Sequence, residues 1–445
     1  MDSTVRFICF LSLLFFISPS RAKPSFQPRA LVLPVTKDSS SLQYLTVLNR
    51  RTPLVPVKLT VDLGGEFLWE DCEQGYLSSS YRPVRCHSAQ CSFARSRACG
   101  NCFAGRKPGC NNNTCALHPY NPITHVTNAK GELAQDVVSI QSTDGSKPSR
   151  AVSLPFLFAC APTVLLKGLA GGAKGMAGLG RTRIALPSQF AYAFNFPRKF
   201  AVCLSSSTVS SGVIFFGNGP YVLRPKIDVT KFLTYTPLIN NPVSTAGSHY
   251  TGEPSAEYFI GVKSIKVNNK IVPINASLLS INKDGTGGTK ISTTNSYTIM
   301  ETSIFKAFTA AFIKETTNYL PRVASVAPFE ACFRSKRDER SVHVGLGVPI
   351  IALGLQSKSV YWGIFGVNSM VYVSSNIVCL GFVDGGNART SIVIGAHQIE
   401  DNLLQFDLEK SRLGFSSLLT SRDTSCADFN FTPKWVADTA TDITN

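Results

Sequence analysis

The cysteines form the densest set of reactive side chains in the chain. Of thirteen, Cys9 lies in an apolar N-terminal run. The other twelve are Cys72, Cys86, Cys91, Cys99, Cys102, Cys110, Cys115, Cys160, Cys203, Cys332, Cys379 and Cys426. Thiolates can hold a metal or attack an electrophile, and thiol pairs can oxidise to disulfides. A zinc knuckle can be drawn from Cys99, Cys102, Cys110 and Cys115, but their spacing is not that of a zinc ribbon. An even cysteine count in an exported chain favours six disulfides instead, with no thiol left over as a nucleophile. Other chemistry is sparse. His125 stands in a loop with no visible acid or nucleophile to pair with and reads as a surface residue. The chain has no Gly-X-Ser-X-Gly elbow, no phosphate-cradling loop and no His-Glu-X-X-His pair. No metal or cofactor is expected.

The elements that must position any site belong to a well-packed protein. The 445 residues are 44% hydrophobic and 16% charged, enough for one large or two ordinary domains with a real core. The net charge of +16 reflects scarce acids more than abundant bases, which suits anionic surfaces without marking a nucleic-acid binder. Residues 1–22 read as a signal peptide, with Arg6 ahead of an apolar run from Phe7 to Ile17 and small residues near Ala22. Its removal leaves +15. The run is too short to cross a bilayer, and no later stretch reaches about 18 apolar residues, so no membrane span is expected. Sequons at Asn112, Asn275 and Asn430 are candidate glycosylation sites.

Most of the remaining pattern is β. Strands are expected at Val55 to Leu63, Glu132 to Ile140, Gly212 to Phe216, Tyr258 to Val267, Ser292 to Met300, Ser369 to Val373, Ser391 to Ile394 and Leu403 to Leu408. Helices are expected only at Ser188 to Phe194 and at Ser303 to Tyr319. In the second, Ile304, Phe305, Phe308, Phe312 and Ile313 recur at helical spacing behind Thr302 as the possible cap. A Pro-rich stretch from Pro220 to Asn241 places a boundary near residue 225. The two halves share a likeness: an apolar strand enters a Gly-flanked segment at Val57 to Gly65 and again at Gly287 to Thr294.

Several motifs then converge. They are Asp62-Leu63-Gly64 after an apolar strand, Gly175 to Gly180 followed by Leu186-Pro187-Ser188-Gln189-Phe190, Ile394-Gly395, Gln405 to Leu408 and Arg412 to Phe415. Together they resemble the pepsin-like aspartic proteases of plants over nearly the whole mature chain. The resemblance implies an all-β fold with minor helices in two lobes: 23–225 and 226–433, followed by a tail at 434–445. Proteolysis in that family needs two carboxylates, one per lobe, that share a proton and activate one water. Here the remnants are Asp62, followed by Leu63 where a hydroxyl residue belongs, and Ser292 in place of the second aspartate. Asp284 sits in a Gly-rich turn and reads as solvated. The segment Ile123 to Leu133, where a flap tyrosine belongs, contains none. The expectation is that the chain is no enzyme.

Within that group, Val383 to Gly386, Arg389 to Asn402, Asn368 to Val371 and Cys426 to Phe431 resemble the secreted plant inhibitors of glycoside hydrolases. These include extracellular dermal glycoproteins, xyloglucanase inhibitors, xylanase inhibitors and the related basic seven-S globulins. The resemblance implies disulfides Cys332–Cys379 and Cys203–Cys426. It also implies a monomeric, secreted inhibitor of microbial endoglucanases, foremost xyloglucanases of glycoside hydrolase family 12, with two second-lobe loops offering arginines to the target's acids. One arginine falls on Arg422; the other position falls on His343 in a longer loop, with Arg340 just upstream. Alternatives are a non-inhibitory binding or storage protein, a xylanase inhibitor, or a residual protease using Asp62. An apoplastic address is implied, and positive charge fits retention on anionic cell-wall polysaccharide.

Overall fold

The computed structural model describes residues 27–126, 129–245, 253–335, 340–341, 344–357 and 359–431, with residues 340–341 as backbone alone. The expected signal peptide and tail, together with His343, lie outside the described residues.

The fold is mostly β, with few helices, in two lobes joined by a shared sheet. Six strands run antiparallel in the order Ala30–Lys37, Gly212–Gly217, Lys199–Cys203, Leu403–Asp407, Arg412–Phe415 and Thr234–Ile239. The expected strand at Leu403 thus pairs with the first lobe, Cys203 opposite Leu403. Apolar residues on both sides of this seam are buried, and the Phe200 and Phe406 rings stack with centroids 4.8 Å apart. Continuous apolar sequence such as Val213-Ile214-Phe215-Phe216, wholly buried here, is what a strand covered on both faces requires.

The likeness between the halves is a structural repeat. Val55–Asp62 pairs in parallel with Gly175–Gly178, placing Asp62 opposite Gly178. Thr289–Ile291 pairs in parallel with Ile392–Ile394, placing Ile291 opposite Ile394. Each crossing leaves no room for a side chain on the second strand: a Cβ at Gly178 would run into the Phe67 carbonyl, and one at Gly395 into the Tyr297 carbonyl. This explains the glycines of both motifs.

Three local expectations are corrected. Tyr258 to Val267 is two strands, Tyr258–Ile260 and Ser264–Val267, separated at Gly261 and assigned to different sheets. Ser292 to Met300 begins as a turn, because its hydroxyl and amide side chains bond one another, and strand resumes only at Thr298–Met300. The long helix is Thr302–Thr316, and its cap is Glu301, whose Oε2 accepts from the Ser303 and Ile304 amides at 2.9 and 3.1 Å. Its Phe face is core: Phe305, Phe308 and Phe312 are buried.

All twelve described cysteines are paired: Cys72–Cys160, Cys86–Cys99, Cys91–Cys115, Cys102–Cys110, Cys203–Cys426 and Cys332–Cys379. Both pairs implied by resemblance are among them. The four cysteines of the alternative zinc cage are spread over three of these bonds. Reduction should therefore lower stability strongly, since long loops such as the 223-residue one closed by Cys203–Cys426 contribute about 2–5 kcal/mol each. Thermal melts with and without reductant, together with a thiol titration showing no free thiol in the oxidised protein, check this. Among the described residues no helix is long and apolar enough to cross a membrane.

Candidate functional site

The two repeat turns meet between the lobes. Asp62 ends its strand, is 9% exposed and accepts from the Gly64 amide at 3.0 Å through Oδ1. Across the interface Thr293 Oγ1 donates to the Val61 carbonyl at 2.8 Å and accepts from the Leu63 amide at 3.0 Å. This tie is one-sided, because Leu63 has no hydroxyl to reciprocate. Ser292 spends its hydroxyl on its own turn, donating to Asn295 Oδ1 at 2.9 Å and accepting from the Thr294 and Asn295 amides. It closes a turn rather than presenting a nucleophile.

Sequence reasoning left Asp62 with no acidic neighbour. The fold supplies one. Glu257 packs against the Asp62 turn so tightly that a Cβ at Gly64 would lie 2.8 Å from Glu257 Cγ. Burial pushes the Asp62 carboxyl up to about 7, and the Glu257 charge adds to it against the Gly64 amide and Lys290. Glu257 is not free to act as a second acid, since Lys290 Nζ holds its Oε1 at 2.5 Å and Thr245 and Ser255 bond Oε2. The signal that could have found this pair is Lys290 itself, a cation in an otherwise buried strand that needs a carboxylate. Glu66 is also pushed up to about 7, by burial first and then by Glu253, Glu257 and Asp62.

These groups line an interlobe cavity of about 500 Å³, walled on the first-lobe side by Phe67, Trp69 and Phe93. Tyr120 and His125 border it too, joined at 2.8 Å, so a tyrosine does stand at the cleft, three residues before the segment searched for it. His125 is exposed, as expected. Asp284 is exposed and bonded to Thr286, away from the cavity lining.

Arg422 lies elsewhere on the second lobe. It ends the short helix Leu419–Arg422, is exposed, and lies over the Phe232 ring at 4.2 Å. No ion pair holds it among the described residues. Its loop is fastened by the Cys426 disulfide, by Leu419 N to Asp401 O at 2.9 Å and by Thr424 Oγ1 to Arg224 O at 2.7 Å. Arg340 begins a two-residue strand, Arg340–Ser341, paired antiparallel with Gly345–Leu346. Asn112, Asn275 and Asn430 are all exposed.

The paired lobes, each delivering a turn to one cleft, define a bilobal pepsin-like protein. Two family profiles match it: xylanase inhibitor N-terminal over residues 44–218 and xylanase inhibitor C-terminal over 257–417. A probable aspartic proteinase, GIP2, from Nicotiana benthamiana is 61% identical over 96% of this chain and 97% of its own. Gamma conglutin 1 from Prunus dulcis is 46% identical over 97% of each. Among solved structures, that of edgp superposes with a TM-score of 0.90 at 63% identity, covering 92% of this chain and all of the other. That of conglutin gamma from lupine seeds gives 0.80 at 39%, covering 91% and 100%. The chain belongs to the xylanase-inhibitor family of pepsin-like proteins.

Proposed function

We propose that the protein is a secreted, proteolytically inactive inhibitor of microbial cell-wall-degrading glycoside hydrolases, with family 12 xyloglucanases the first target class. Arg422 carries the reading: an exposed guanidinium, with no acid partner among the described residues, on a disulfide-fastened loop. A glycosidase presents two carboxyl groups about 5–10 Å apart, and a guanidinium can cap them through charge-assisted, bidentate bonds. A loop already rigid before binding reduces the ordering cost. Arg340 or His343 is the second proposed contact. The proposed lobes are 23–225 and 226–433, with one profile match falling inside each, and the six disulfides support secretion. Inactivity as a protease is supported by the one-sided turn tie, the consumed Ser292 hydroxyl and the Lys290-bound Glu257. Titration of the purified protein against fungal and oomycete endoglucanases and xylanases tests the reading. Inhibition of none of them, together with acid-pH peptide cleavage abolished by Asp62→Asn, would replace it with a residual protease.

A second reading is a binding or storage protein, favoured by the extended similarity to conglutins and to basic 7S globulin from Glycine max, 39% identical over 97% of this chain. Either reading fits retention on anionic wall polysaccharide. The protein should elute from de-esterified pectin as salt rises, because screening shortens the reach of surface charge. Elution unaffected by salt would point to a specific sugar site.

A further inference from the structure

The interlobe cavity is not used by the Arg422 loop. We propose that its Asp62–Glu66 end is a binding site for an organic cation: an ammonium or amidinium group carried on a flat apolar body. At about 500 Å³ the cavity falls within the roughly 300–1,000 Å³ of small-molecule sites. Its walls divide by chemistry. Phe67 and Trp69 are buried and line the cavity, offering apolar surface to a guest, and aromatic rings also attract cations. Asp62 lies 9% exposed at the cavity, and its carboxyl is met only by the Gly64 and Gly65 amides, with no side-chain donor on it among the described residues. The Glu66 carboxyl accepts no hydrogen bond among them. Two carboxylates held this way, with neither joined to a cation, make the position one where a guest's positive charge is worth most.

Most of the cations around the cavity are otherwise engaged. Lys290 is bound to Glu257 and Thr245. Arg97 pairs with Glu253 at 3.3 Å. Arg181 donates to the Ile239 carbonyl and Asn240, with Arg198 beside it on the Tyr258 side. Arg183 lies over the Phe93 ring at 5.9 Å, and His125 is joined to Tyr120. Arg95, also at the rim, is exposed. At Asp62 the pull of Lys290 is weaker than the push of Glu257, and the charges that act most on Glu66 are Glu253, Glu257 and Asp62. Both groups carry charge above about pH 7 and are neutral in acid, so occupancy should follow their ionisation. A protein exported to an acidic wall would then release its guest there and hold it at neutral pH.

Calorimetric titration of the intact protein with benzamidine, and with benzamide as its neutral isostere, tests the site. At pH 8 benzamidine should bind about tenfold or more tightly than benzamide, the loss expected for one charge-assisted contact. At pH 5 the difference should vanish. Asp62→Asn and Glu66→Gln should each weaken benzamidine about tenfold at pH 8 and leave benzamide unchanged. Should Asp62→Asn fail to fold, Glu66→Gln carries the test alone, since its side chain makes no hydrogen bond among the described residues. A second readout needs no ligand: both variants should melt higher than wild type at pH 8 and not at pH 5, because each removes a carboxylate that burial makes costly to ionise. No detectable benzamidine binding at pH 8, equal binding of both probes, or affinity unmoved by Glu66→Gln would overturn the proposal.

Discussion

Arg422→Ala should leave the melting temperature unchanged and weaken hydrolase binding by about 2–5 kcal/mol, one and a half to more than three orders of magnitude. The magnitude follows from what truncation leaves behind. Two acids of the target, already stripped of water by the surrounding contact, would lose their counter-charge. Folding is spared because the guanidinium is exposed and rests on the Phe232 ring, while the loop is held by its disulfide and by backbone bonds. Inhibition constants and thermal melts on the same preparations check both halves. His343→Arg is the complementary experiment. It should tighten inhibition where the family's first cation is missing and do little where Arg340 already serves. Raising the pH from 5 to 8 separates these, since an imidazole loses its charge near about 6.5 and a guanidinium does not. Unchanged affinity for every tested hydrolase after Arg422→Ala would discard the capping mechanism in favour of the storage reading.

The largest expected effect on stability belongs to Glu400. This buried carboxylate sits where the lobes meet, accepting at Oε1 from Lys37 Nζ at 2.6 Å and Tyr44 OH at 2.7 Å, and at Oε2 from His397 Nδ1 at 3.2 Å. Burial alone would raise its pKa. The His397 hydrogen bond and charge, with Lys37 behind them, outweigh that and hold it below the usual range. Glu400→Ala strands the ammonium of Lys37 and leaves the Tyr44 hydroxyl with the Ser205 carbonyl alone, and should cost about 3–5 kcal/mol. Because the folded-state pKa is depressed, the contribution is present above the unfolded value of about 4.3 and is lost as pH falls through the folded one. Wild type and Glu400→Gln should therefore differ in melting temperature at pH 6 and converge in strong acid. A gap that persists in strong acid would show that the charge is not what matters.

Some of this could be read from the residues and some could not. Apolar runs such as Val213 to Phe216 and the Phe face of the long helix announce themselves, because burial on this scale leaves no alternative composition. The glycines at 178 and 395 were readable as motifs, although their reason, two backbones crossing without room for a Cβ, is visible only in three dimensions. Glu257 was not readable. Pro254-Ser255-Ala256-Glu257 carries no pattern, and only the meeting of the lobes sets it against Gly64. The cap of the long helix was misplaced by one residue because Thr302 is the commoner capping type, whereas Glu301 reaches two amides with one longer side chain. Glu400 escaped notice for the same reason as Glu257: its partners Lys37 and Tyr44 come from the far end of the chain.

The Leu403–Asp407 strand lies against Lys199–Cys203, and the Cys203–Cys426 bond locks that seam. During synthesis the edge at Lys199–Cys203 emerges long before its partner. At about 5–20 residues per second, the 223 residues to Cys426 take about 10–45 s. Throughout that interval the nascent first lobe presents an open, apolar β edge of the kind that recruits unwanted strands. The first lobe therefore cannot complete its own sheet until the last fifty or so residues leave the ribosome.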